Sequence, residues 1–185
     1  GSQGIRKSQF LGMVRGGVEA IVPVSDPVFT VNGKNVRQVG RVNAPTVINS
    51  VFNHRNFWNG RAQSTFNGVN HLGDKDVNAR VWSVGPNGNP VSVDIHIKNA
   101  SLASQAVGPP LNVLEMSAAG RTFLDVGKKM LRTSPLRLQR VLPTDSVLGP
   151  LVDKRKGLKI SYARLIRRAF QPMWWNSRTK ITLDG

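Results

Sequence analysis

The chain has 185 residues, 39% of them hydrophobic, and carries 26 Lys+Arg against 10 Asp+Glu, a net charge of +16. That length suits one domain or one and a half, and the absence of cysteine excludes disulfides, thiolate metal sites and cysteine nucleophiles. No apolar run of about eighteen residues occurs, so no membrane-spanning helix is expected, and no basic-then-apolar start marks a signal peptide.

Residues 1–26 scatter Phe10, Leu11, Met13 and Val14 among glycines and read as loop with one short helical turn. VFTVNGKNVRQV, Val28 to Val39, alternates β-branched residues around Asn32-Gly33. Both turn residues tolerate positive φ, which predicts a hairpin. NAPTVINSVFNHRNFW, Asn43 to Trp58, places Val47, Ile48, Val51 and Phe52 on one stripe, a helical spacing. Pro45 suits its first turn, where a missing N–H is harmless. A second hairpin is expected over Arg80 to Ile97, with a Gly/Pro/Asn turn. Asn112 is placed to cap a short helix holding Glu115 and Met116. Gly120 to Arg132 reads as an amphipathic helix. Ser161 to Phe170 reads as another, with Ser161 as its N-cap and Pro172 beyond its end. Short helices, two small hairpins and much loop suggest a chain that wraps a cofactor or another chain.

The three histidines, His54, His71 and His96, stand at no helical metal-clamp spacing. His96 reads as an exposed strand residue; His54 and His71 are either structural or candidate axial ligands. Charge is uneven: from Arg121 onward there are 15 basic and 4 acidic residues, and 11 and 6 before it. Such a surface attracts polyanions or an acidic protein. DKRKGLK (Asp153 to Lys159), Arg164, Arg167 and Arg168, with Trp174 and Trp175 following, fit either a phosphate-tracking, base-stacking surface or a solvated basic face with aromatic anchors. No nucleic-acid module is present, so nucleic acid is not the expected partner. Glu115 is the one acid in SLASQAVGPPLNVLEMS. Its apolar neighbours Val113, Leu114 and Met116 fit a desolvated proton shuttle, and its place equally fits a first-turn Glu favoured by the helix dipole.

RVNAPTVINSVFNHRNFWNGRA, Arg41 to Ala62, and SLASQAVGPPLNVLEMS, Ser101 to Ser117, resemble the bacterial di-haem cytochrome c peroxidase family, which includes the di-haem enzymes that mature methylamine dehydrogenase. The later GRTFLDVGKKML, DSVLGPL and SYARLIRRAFQPMWWNS are similar to longer members. The resemblance implies a mainly α, cytochrome c-like di-haem peroxidase domain with small β-hairpins and long loops, present only as its inter-haem segment. It divides the chain into an N-terminal loop and hairpin (1–40), an inter-haem and distal-pocket segment (41–120) and a basic helical segment (121–185). It implies that Trp58 relays electrons between haems, that Glu115 is the distal acid/base and that Gln105 and Pro109 line the distal pocket. Asn43 is implied as a side-chain ligand of calcium. The implied cofactors are haem c and calcium. The implied partners are a haem-bearing polypeptide or remainder of the same protein and an electron donor, in the periplasm.

Four departures accompany the resemblance. Both Cys-x-x-Cys-His haem motifs are absent, Asn59 stands where the family usually has Asp, the Arg80–Ile97 hairpin is an insertion, and no His shortly precedes Asn43. The expected activity is therefore that of one part of a peroxidase-like oxidoreductase whose haem is held elsewhere. The alternative is a haem-free binding or structural protein that uses its basic surface.

Overall fold

The computed structural model describes residues 2–41 and 43–180; the last residues of the 121–185 segment lie outside the described residues. Among the described residues, six strands form three separate two-stranded sheets, accompanied by three α-helices. The α-helices have only 6, 9 and 8 residues. The expectation of a mainly α chain is thus wrong: strands, turns and extended loops dominate.

The first sheet pairs β1, Ser8–Val14, antiparallel with β2, Val18–Pro23, where loop was expected. Gly16 and Gly17, at φ 79° and 73°, make the reversal that a residue with a Cβ would resist. The register shifts between Phe10 and Gly12, a bulge of the kind that increases twist and bends the bulged strand. On its other side β1 meets Ala119: the Phe10 N–H donates to the Ala119 carbonyl at 2.9 Å, and the Ala119 N–H to the Ser8 carbonyl at 2.9 Å. This fastens the segment after Glu115 to the N-terminal hairpin.

The two expected hairpins are present in shortened form. β3, Thr30–Val31, and β4, Lys34–Asn35, flank Asn32-Gly33, both at positive φ. β5, Val81–Val84, pairs with β6, Pro90–Val93. The helix expected from Asn43 to Trp58 does not form. That stretch is irregular apart from one 3-10 turn at Ser50–Phe52, and Asn49 and Phe57 have φ of 58° and 60°. Its supposed core stripe faces outward, with Val47 and Ile48 each 76% exposed and Phe52 82%.

α1, Ser101–Ala106, has no side-chain cap of its own. α2, Phe123–Leu131, starts with a capping box: Thr122 Oγ1 accepts from the Asp125 N–H, while the Asp125 carboxylate accepts from the Thr122 N–H. α3, Tyr162–Ala169, begins at Ser161, whose Oγ accepts from the Arg164 N–H at 3.2 Å. Pro172 opens a further 3-10 turn. The helix expected after Asn112 is instead a tight turn.

Buried apolar side chains among the described residues are Ala62, Ala79, Ala118, Leu158 and Ile160. Much of the interior is polar: Ser50, Asn56, Asn67, Ser101, Ser104 and Ser117 are buried and must find partners within the chain.

Candidate functional site

The loop from Asn53 to Ala62 is tied at both ends. Asn56 and Ala62 exchange backbone hydrogen bonds of 3.1 and 3.2 Å. The buried Asn56 amide donates to the Ser50 carbonyl at 3.1 Å and to Ser101 Oγ at 2.9 Å, and its oxygen accepts from Asn53 Nδ2 at 3.1 Å. Ser101 Oγ in turn donates to the Asn53 carbonyl. These bonds fix the start of α1 against the loop.

Phe57 sits inside that loop and packs on Gly108; a Cβ built on Gly108 would lie 3.3 Å from the Phe57 ring. Gly108 stands between Gln105, near the end of α1, and Pro109, so the loop of Phe57 and Trp58 is set against the junction of α1 with the turn that follows it. The Arg61 guanidinium lies 4.5 Å above the Phe57 ring and His71 meets its edge at 6.2 Å. Sequence reasoning missed this Phe57–Arg61–His71 cluster. Its members come from two loops, and no short motif joins them.

Gln105, on α1, is 8% exposed, and its Oε1 is buried without a hydrogen-bond partner among the described residues. Pro109 begins a 3-10 turn, Pro109–Leu111, and is half-buried. Glu115 is half-buried in the turn that follows. The Asn112 carbonyl accepts from the N–H groups of Glu115, Met116 and Ser117 at 3.1, 2.9 and 3.0 Å, and Asn112 Oδ1 from Leu114 N–H at 2.9 Å. Two of the expected apolar neighbours of Glu115 do not enclose it: Val113 is 47% and Met116 59% exposed. The Ile5 N–H donates to the Leu114 carbonyl at 3.3 Å, and any side chain on Gly4 would overlap that same oxygen. On the far side Arg121 pairs with Glu19 of β2 and reaches the Pro110 carbonyl at 3.5 Å.

Trp58 is 77% exposed, at the surface of its loop. Asn43 is exposed, and among the described residues no three His, Cys, Asp or Glu gather into a metal-holding group. A single amide oxygen is far short of the six to eight ligands that Ca²⁺ takes. Trp174 and Trp175 are half-buried and share a small cleft with Trp82, Leu124 and Met173. Arg167 lies 5.3 Å from the Trp175 ring.

The histidines differ in environment. His54 is exposed. His71 is held below its ordinary value of 6.5, first by burial and then by the nearby Arg61 charge. His96, exposed as expected but beyond the end of β6 and not on a strand, is raised above 6.5, first by its hydrogen bond to Asp74 and then by the Asp94 charge; its Nδ1 lies 2.7 Å from Asp74 Oδ1. Proton NMR titration should therefore find His71 ionising below 6.5 and His96 above it; the reverse order would disprove both placements. The two act oppositely on stability. The unfavourable share of His71 develops as pH falls below 6.5, because the unfolded chain then binds the proton first. The share of His96 is fully present below 6.5 and is lost as pH rises through its raised folded value.

Among the described residues no helix is long and apolar enough to cross a membrane. Over 101 residues, 55% of this chain and 13% of the relative, the sequence is 32% identical to the cytochrome c peroxidase Ccp of Escherichia coli (strain K12). The chain thus corresponds to a small part of the curated relative that it matches. No solved structure matches it. A family model described as di-haem cytochrome c peroxidase matches residues 23–141. That is more than half of the chain, and it contains the Phe57–Trp58 loop, α1 and the Glu115 turn. The chain belongs to the di-haem cytochrome c peroxidase family.

Proposed function

We propose that this chain supplies the distal wall and an electron-relay residue to a di-haem peroxidase-like oxidoreductase whose haem is held by polypeptide beyond these 185 residues. The observation that carries this reading is the seat of Phe57 on Gly108. It sets the Trp58 loop beside Gln105 and Pro109 within the family-matched stretch. Residues 41–120 would be the working segment.

The donor set suits a wall rather than an anchor. Without cysteine the chain has no thiol for thioether attachment. Haem, when bound, supplies the redox chemistry of peroxide reduction. Conversion of hydrogen peroxide to two waters consumes two electrons and two protons. Glu115 takes a proton from one peroxide oxygen and returns it to the leaving oxygen. Gln105 and Pro109 shape the space in which peroxide is oriented. Trp58 passes electrons, and its exposure suits contact with a neighbouring polypeptide. Asn43 contributes one oxygen to a calcium site that other polypeptide completes. A periplasmic setting and an electron-donor protein follow from the family kinship.

The test uses the intact protein. It should show c-type haem absorbance and peroxide-dependent oxidation of a reduced one-electron donor dye. Trp58→Phe should keep the haem and consume the first equivalent of peroxide at the parent rate, while donor oxidation falls. Absence of haem absorbance in the intact protein would support the haem-free scaffold instead. Unchanged donor oxidation in Trp58→Phe would remove Trp58 from the electron path.

A further inference from the structure

Between the β1–β2 and β3–β4 hairpins lies an open groove of about 1350 Å³. Small-molecule sites usually measure ~300–1,000 Å³ and are mostly enclosed, so its size and shape suit a length of extended polypeptide better. Apolar side chains line it: Ile5, Ile21, Val24 and Met116. Cations line it too: Arg6, Lys7, Lys34 and Arg37.

The two carboxylates in the groove are already engaged. Asp26 Oδ1 accepts from the N–H groups of Val28 and Phe29, each at 3.0 Å, and its Oδ2 accepts from Gln38 Nε2 at 3.2 Å. Glu19 is paired with Arg121 and Lys129. The Glu19 charge is thus taken up outside the rim, while Asp26 keeps its charge and acts on Lys7, which leaves four lining cations against one carboxylate. Lys7 and Arg37 donate only to backbone carbonyls, of Ser25 and Gly4. Arg6 and Lys34 are exposed and form no ion pair among the described residues. The groove therefore offers positive charge beside apolar surface, the complement of a segment that alternates acidic and apolar side chains.

We propose that this groove docks an acidic, extended segment of a separate partner protein. One wall, β1–β2, lies almost wholly before residue 23, where the family match begins. Met116 and Ala118 also line the groove, so a segment bound there lies beside the Glu115 turn. The inference does not depend on the peroxidase reading.

The experiment measures polarisation of a fluorescein-labelled peptide of alternating Glu and Val mixed with the intact protein at about 0.15 M salt. The parent should bind. Joint Arg6→Glu and Lys34→Glu substitution should weaken binding at least about tenfold. Joint Arg6→Gln and Lys34→Gln substitution should give a smaller loss, with an unchanged circular dichroism spectrum. As control, joint Arg167→Glu and Arg168→Glu on α3 makes the same charge change outside the groove and should leave affinity within about twofold. Equal losses in the groove and control variants would reduce the effect to bulk charge and overturn the proposal. Complete competition by single-stranded oligothymidylate, or equal binding of a Lys-Val peptide, would overturn it as well.

Discussion

Glu115→Gln in the assembled holoprotein is expected to slow peroxide consumption by ~10²–10⁴-fold, the usual loss when a positioned acid/base group is removed. Gln keeps the size and hydrogen-bonding reach of Glu but cannot take up and return a proton. The turn that carries residue 115 is held by backbone groups, through the Asn112 carbonyl and the Ile5-to-Leu114 bond, and among the described residues the Glu115 side chain forms no ion pair that would hold it. The backbone should therefore stay in place, and the loss should be chemical rather than structural. Stopped-flow absorbance after mixing with peroxide measures the rate, and the spectrum before mixing measures haem content. A variant with full haem and parent rate would show that Glu115 is not the distal acid/base.

Asn56→Ala is expected to destabilise the chain by about 2–3 kcal/mol. The Asn56 amide is the junction of the Ser50 carbonyl, Ser101 Oγ and Asn53 Nδ2. Ser50 and Ser101 are 0% and 1% exposed, so water cannot replace the lost partner without opening the structure. Leaving a buried polar group unmatched costs ~1–3 kcal/mol, a large share of a domain's ordinary ~5–15 kcal/mol. Because Ser101 opens α1, the same change should also loosen Gln105. Urea unfolding followed by tryptophan emission measures the effect. A shift below about 0.5 kcal/mol, the range of an ordinary surface substitution, would mean that the amide junction is not what joins the loop to α1.

What could be read from the sequence was what short-range chemistry decides. The Asn32-Gly33 turn and the Ser161 cap each lie within a few residues of the bonds they make, and the corresponding elements form. The first hairpin was hidden because Gly12, Gly16 and Gly17 look like loop until β1 and β2 are seen paired. The Asn43–Trp58 stretch had helical spacing, but spacing says nothing of Asn56, whose amide is held by Ser101, 45 residues on. The positive φ at Asn49 and Phe57 is incompatible with a continuous helix. Reading it as helix also inflated the expected α content. At the candidate site, Gln105, Pro109 and the distal role of Glu115 were named through a family resemblance carried by one continuous segment, Ser101 to Ser117. The Phe57–Arg61–His71 cluster could not be, because it exists only once residue 71 folds back.

The seryl interior has a thermal consequence. The largest fully buried side chains among the described residues are Ser50, Ser101, Ser104 and Ser117. Newly wetted apolar surface raises the heat capacity of the unfolded state, and newly wetted polar surface lowers it. Unfolding this chain therefore brings a heat-capacity increment below the usual ~12–15 cal/mol/K per residue. Its free-energy curve is therefore less strongly curved, and stability changes less steeply on either side of its maximum.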